Sequence, residues 1–407
     1  MAVWWKTWPL LLLVGACGGS SGAPRNLDSI KSTESPPKRS EVRPAAHGPT
    51  NKILLFGGND GVVVNQIPRA RYREDTWIFE PGQGWREVAT DTHPSSRARY
   101  AMAVDEEGER ALLFGGRWRA DGEQGDYTLY NDLWQFDFTN DEWSLLWDGR
   151  GSGPSPRYYG QGAYDQESNR FYVWGGNTNT DPLAFNITGQ LWAWDGQTWE
   201  RIQTSGQAPS TRSFLGSLHD TVRNNLVIFG GQQGDFYNFA YNDTYSLDLD
   251  TGAWTRLHAG RRNSPTTRMH AQLAYDSPND RYLLFGGHTD FGDQNDLWSM
   301  EPEQTTWSEI YFADVLVGGL GCLGNPSEVP QSFVDQDLSA PERRHNAMSA
   351  MMHGTLWVFG GIHAECSDHL DDTWRFDFET NQWIELIEAT TGESCARRDD
   401  DCECLCL

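Results

Sequence analysis

Ala111-Leu112-Leu113-Phe114-Gly115-Gly116 is an all-apolar run that stops on two glycines, and it has five counterparts in the chain. These are ILLFGG at 53–58, FYVWGG at 171–176, LVIFGG at 226–231, YLLFGG at 282–287 and LWVFGG at 356–361. The first glycines lie 58, 60, 55, 56 and 74 residues apart, so the array is tandem with one insertion. A second signature follows each pair. Asp75, Asp132, Gln190, Asp243, Asp296 and Asp372 each stand two residues before an aromatic residue (Trp77, Trp134, Trp192, Tyr245, Trp298, Trp374). A further tryptophan closes each unit, at 85, 143, 199, 254, 307 and 383. A third signature precedes the pair. Arg97, Arg157, Arg212 and Arg268 stand 18 residues before the first glycine, Arg344 stands 16 before, and Arg43, taken as the first-repeat counterpart, 14 before.

Each unit reads as four short strands. In the second they are predicted over 98–104, 111–115, 132–138 and 142–147, separated by turns at Asp105-Glu106-Glu107-Gly108 and Thr139-Asn140-Asp141. The second strand is apolar at every position, as in a strand covered on both faces. No unit can bury both faces alone, so the array must close on itself. An inner strand near 41–47 gives the first unit a complete set, so closure needs no strand exchange between the termini.

Together these signatures resemble the kelch repeat over residues 41–389. The resemblance implies an all-β fold, a six-bladed β-propeller with four antiparallel strands per blade. In such a blade, the loops between second and third strands share a face with the blade-to-blade loops. The arginines would ring that face around the central channel, beside long loops carrying Asp60, Arg69, Arg71, Arg117, Trp118, Asp181 and Phe185. Some kelch proteins bind acidic peptides there. The implied binding face is therefore Arg97, Arg157, Arg212, Arg268 and Arg344. The competing reading is that a residue repeated in every unit bonds neighbouring carbonyls and holds the ring together.

The N-terminus carries an apolar run, Trp8 to Val14, too short to span a bilayer. It ends in Val14-Gly15-Ala16-Cys17, which resembles a bacterial lipoprotein signal. The resemblance implies removal of residues 1–16 and lipidation of Cys17, anchoring an exported protein at the bacterial cell envelope, at the outer membrane in preference to the inner. Residues 17–40 read as a polar tether. The insertion occupies 311–340, between blades five and six. By the face argument Cys322 and Cys366 lie close enough for a disulfide. The tail 390–407 holds Cys395, Cys402, Cys404 and Cys406, which suit two disulfides, a Cys-rich module or a soft metal.

The chain has 407 residues, with 32 basic against 57 acidic side chains and a net charge of −25. Such a surface repels phosphate backbones and excludes nucleic acid as a partner. No catalytic motif, cofactor or metal is implied. The reading is a monomeric, envelope-anchored module that binds a protein or glycan, acidic ones included. The alternative is a mutarotase-like enzyme holding a carboxylated sugar on Arg157, Arg212 and Arg268.

Overall fold

A computed structural model describes residues 30–390 except 33, 65–66, 123–124, 235–239, 261–262, 291, 313–338 and 364–367. The apolar N-terminal run, most of the insertion and all seven cysteines lie outside the described residues, and with them the expected lipidation of Cys17 and the expected Cys322–Cys366 disulfide.

Six antiparallel sheets follow one another along the chain, each built from one stretch of sequence. Blade one is Ala45–His47, Lys52–Phe56, Thr76–Glu80 and Gly84–Val88. Blade two is Ala101–Asp105, Arg110–Trp118, Thr128–Asp137 and Glu142–Trp147. Blade three runs from Gln161–Asp165 to Trp199–Ile202, and blade four from Gly216–Asp220 to Ala253–His258. Blade five runs from Gln272–Asp276 to Trp307–Tyr311, and blade six from Met348–Met352 to Gln382–Ile387. Blade one owns its inner strand, so the ring closes without strand exchange.

A hydrophobic core fills each of the six seams between neighbouring blades, including the seam that joins blade six to blade one. The closing tryptophan of each unit reaches back into the seam with the preceding blade. Its indole N–H finds a hydroxyl only where that blade offers a threonine. Trp85 donates to Thr373 at 2.9 Å, Trp143 to Thr76 at 3.0 Å and Trp307 to Thr244 at 3.1 Å. Where the preceding blade offers Leu133 or Leu297, the N–H of Trp199 or Trp383 is buried without a hydrogen bond. Burial of the ring carries these seams, and the hydrogen bond adds to it.

The three repeated signatures are one hydrogen-bonded cluster per blade. Arg268 donates to the Gly286 carbonyl at 3.0 Å and forms a fork with Asp296 at 2.6 and 2.8 Å, and Asp296 accepts the indole N–H of Trp298 at 2.7 Å. The same set recurs with Arg97, Gly115, Asp132 and Trp134. It recurs again with Arg344, Gly360, Asp372 and Trp374. The second glycine of the pair then reaches the next blade: Gly287 N–H donates to Arg344 O at 2.9 Å.

In blade one the cluster arginine is Arg39, not Arg43. Arg39 stands 18 residues before Gly57, like its counterparts, and donates to Gly57 O and to both oxygens of Asp75. It also closes the ring, because Gly361 N–H donates to Arg39 O at 3.0 Å. The polar stretch read as a tether is therefore bound to the propeller over its last residues. Ser35 donates to Asp371 O, and Lys38 pairs with Asp368 at 2.7 Å.

Gly286 must be glycine. Its φ is +59°, and a Cβ there would lie 2.8 Å from Arg344 O and 3.0 Å from Gln294 O, both backbone atoms. Gly286→Ala is expected to cost about 1–3 kcal/mol. Urea unfolding would show this as a lowered midpoint.

Candidate functional site

The five arginines expected to face a ligand are turned inward. Arg97, Arg157, Arg268 and Arg344 are 0–1% exposed and Arg212 is 4% exposed. Four grip an aspartate, and Arg157 is held by Gln190, Gly175 O and both oxygens of Ser155. Arg97, Arg212 and Arg268 spend all five N–H donors inside the blade, and Arg157 and Arg344 spend four, so buried guanidiniums of this kind offer a ligand almost nothing. The expected face thus lacks its arginines, and the residues beside them take its place.

Two positions after each cluster arginine the backbone turns left-handed. Glu41, Arg99, Tyr159, Phe214, His270 and Asn346 have φ of +53° to +65°. No glycine occupies any of these positions, so each carries strain that the surrounding structure must hold. Their backbones form a ring across the channel. Arg99 N–H donates to Glu41 O at 3.0 Å, Tyr159 to Arg99 O at 2.8 Å, and His270 to Phe214 O at 2.6 Å. Longer bonds of 3.4 Å join Asn346 to His270 O and Glu41 to Asn346 O. The six side chains meet at the centre of the loop-built face. The shared spacing from the arginine was visible in the sequence, but six different residue types concealed it.

The two halves of the face differ. Over blades one to three lies a nest of arginine and tyrosine. The Arg99 guanidinium bonds Glu41 at 2.5 Å and stacks 4.3 Å from the Tyr159 ring. Arg117 bonds both Glu41 oxygens at 3.2 Å and stands over Tyr127 at 4.3 Å and Tyr158 at 5.0 Å. Burial alone would raise the Glu41 carboxyl. Arg99 and Arg117 overcome it and hold the carboxyl at about 2. Two fixed cations thus share one anion. Loops tie this half into a wall: Gly122 N–H donates to Ala70 O, Tyr127 N–H to Thr180 O, and His369 bonds Gly61 O. Arg119 continues the stack 4.6 Å from Tyr127. Val62 and Leu183 stand out from the wall at 69% and 79% exposure.

Over blades four to six lies a histidine cluster. Asp293 is fully buried, with His288 Nδ1 at 2.8 Å and His345 Nδ1 at 2.9 Å. Burial would raise the Asp293 carboxyl, but His345 and His288 hold it well below the usual carboxylate range. His270, 5.6 Å from the His345 ring, is driven well below the usual histidine value by burial and then by Arg99. His288, Asp293 and His345 bring three donor atoms within 4.8 Å of one another, the only such group among the described residues. A divalent cation could be held there. Both Nδ1 atoms already spend their hydrogen-bonding capacity on Asp293, which accounts for the cluster as an internal hydrogen-bonded set.

The KLHDC2/KLHL20/DRC7 Kelch-repeats domain matches residues 27–192 and 163–315, and the Kelch motif matches 343–386. Kelch domain-containing protein 10 of Homo sapiens is 23% identical over 309 residues, covering 72% of this chain and 61% of that protein. The Rattus norvegicus form is matched over 65% of its length at the same identity. Kelch domain-containing protein 3 of Bos taurus is 26% identical over 322 residues, covering 75% of this chain and 73% of that protein. The match spans less than two thirds of the first of these relatives.

Proposed function

The chain belongs to the kelch-repeat family, and from that premise we propose that its propeller is a protein-binding module whose loop-built face takes an acidic segment of a partner. The observation that carries this reading is the sharing of Glu41 by Arg99 and Arg117. The centre of the face keeps an excess positive charge in a chain of net charge −25. Arg99 and Arg117 are each 8% exposed, so a carboxylate arriving there meets their field and their outer edges, already ordered by stacking, and this lowers the entropic cost of binding. Tyr127, Tyr158 and Tyr159 are buried and hold the two guanidiniums in place, and Val62 and Leu183 offer apolar anchors at the rim.

The proposal extends to location. Val14-Gly15-Ala16-Cys17 supports export and a lipid on Cys17, with the propeller held at a bacterial envelope. The mass of the mature N-terminal peptide tests that part separately.

The binding reading is tested with the full chain against an array of twelve-residue peptides graded from acidic to basic. Acidic peptides with an apolar flank are expected to bind, and Leu183→Asp and Arg119→Glu should each weaken them about tenfold or more at an unchanged melting temperature. Binding without charge preference, or binding indifferent to both substitutions, would remove this face from consideration.

A further inference from the structure

The six inner strands enclose a cavity of about 370 Å³ along the propeller axis. The left-handed ring closes one end. A pocket of only about 20 Å³ lies against Glu41, Arg99, Tyr159 and His270, and it shares Arg43 and Gln272 with the channel. The other end opens between the turns that follow the inner strands, at Glu106, Thr221, Ser277 and Gly354. The channel is therefore a blind tube whose mouth lies on the face opposite the arginine–tyrosine nest.

Its walls and floor differ in chemistry. Met102, Leu218, Leu273, Met351 and Met352 give the walls an apolar side, shared with the polar His219, Tyr275, Ser349 and His353. The floor is polar: Arg43, Gln161, Ser217 and Gln272. Arg43 is the charged group there. Its side chain makes a single hydrogen bond, from Nη2 to Gln161 Oε1 at 3.0 Å, and that oxygen also accepts Ser217 at 2.6 Å. No carboxylate pairs with Arg43 among the described residues. Eight of the buried arginines contrast with it. Arg39, Arg97, Arg99, Arg117, Arg212, Arg268 and Arg344 each hold a carboxylate. Arg157 lacks one but makes four hydrogen bonds.

We propose that this channel binds a small amphipathic organic anion, an aliphatic monocarboxylate, with its carboxylate on Arg43 and its chain along the methionine-lined wall. Arg43 is half-buried, lines the channel and has no carboxylate partner among the described residues, so an incoming carboxylate can take up its remaining donors in charge-assisted hydrogen bonds. The volume falls in the range of small-molecule sites. A single cation at the floor, with Glu106 at the mouth, suits one carboxylate over a polyanion, and the fixed cation disfavours an amine. Burial, and then Arg99, lowers the Arg43 guanidinium to about 10, so the group remains a cation at neutral pH. This site is independent of the peptide-binding face and lies beyond it.

Octanoate, octanol and octylamine are the probes, titrated into the full chain by calorimetry and by thermal melting. Octanoate is expected to bind at one site per chain and to raise the melting temperature, with octanol weaker by at least tenfold and octylamine silent. Arg43→Gln should weaken octanoate at least tenfold and leave octanol unchanged. Ala46→Phe fills the channel without removing the charge and should abolish octanoate binding, which gives a second reading if Arg43→Gln disturbs the fold. Arg119→Glu, on the opposite face, should leave octanoate binding intact. Absence of octanoate binding at millimolar concentration, equal binding of octylamine, or octanoate binding that survives Ala46→Phe would each overturn the proposal.

Discussion

Arg268→Ala is expected to destabilise the protein by about 3–5 kcal/mol, among the largest losses of any single substitution in the propeller. The substitution strands a buried carboxylate, because Asp296 is only 3% exposed and loses both of its guanidinium bonds. It also leaves the Gly286 carbonyl without its donor and opens space beside Trp298. Replacing both charges, as Arg268→Met with Asp296→Leu, should cost clearly less than Arg268→Ala alone, since no buried charge is then left unpaired. Arg157→Ala provides an internal comparison. Its side-chain partners are the neutral Gln190 and Ser155, so no ion is stranded, and a loss of about 1–3 kcal/mol is expected. Arg119→Glu, on the loop face, should stay within about 0.5 kcal/mol of the parent. Urea unfolding ranks the four. A structural arginine predicts lost stability, whereas a ligand-facing one predicts lost binding with stability intact. If Arg268→Ala melted with the parent, the cluster would not hold the blade together.

The same cluster explains why the blades were so legible. The glycine pair, the aspartate two before an aromatic and the preceding arginine recur because they touch one another, so each constrains the others in every unit. Repeat spacing therefore located all six blades and the complete first blade. The one repeat residue misplaced, Arg43 for Arg39, shows two signals in conflict. The 18-residue spacing pointed to Arg39, but the serine- and proline-rich composition around it suggested a tether. Spacing reports a specific contact and composition only a tendency, and here the contact prevailed. For a related reason the repeated arginines hold their blades together, the competing reading of the repeat, and do not form the binding face that the resemblance implies. Repetition marks what every blade needs, and every blade needs its fold. A site built once per molecule cannot repeat. Glu41, Arg99, Tyr159, Phe214, His270 and Asn346 share a backbone conformation and no side-chain chemistry, so no sequence signature united them. Likewise His288, Asp293 and His345 come together only through the turn of one hairpin and the start of the next blade.

Glu41→Gln is expected to change how stability depends on pH, and only within one window. Folded Glu41 is held at about 2 against an ordinary 4.5, because Arg99 and Arg117 outweigh the cost of burying it. A carboxyl depressed on folding contributes its full stabilisation above its unfolded value and loses it as pH falls toward the folded value. The shift is of order 3 kcal/mol, present at pH 5 and above and fading between about 4.5 and 2. Histidines act in a higher window. Burial lowers His219, His270 and His369 on folding, so the unfolded chain takes up protons first as pH drops below about 6.5. Their effect also lowers stability on acidification, but it begins nearer neutrality and does not involve Glu41. The parent and Glu41→Gln should therefore decline in parallel from pH 7.5 to 5. Below 4.5 the gap between them should close, because only the parent still has this carboxylate to lose. Taking the difference between the two curves removes the other shifted carboxyls, such as Asp75 and Asp280. At pH 7 the variant should lie below the parent, with Arg99 and Arg117 sharing a neutral amide in place of a charge. Melting midpoints at half-unit steps of pH would decide it. A gap that stays constant down to pH 3 would mean that Glu41 titrates normally and that the two arginines are not balanced by it, and the excess charge on the binding face would then have to be counted afresh.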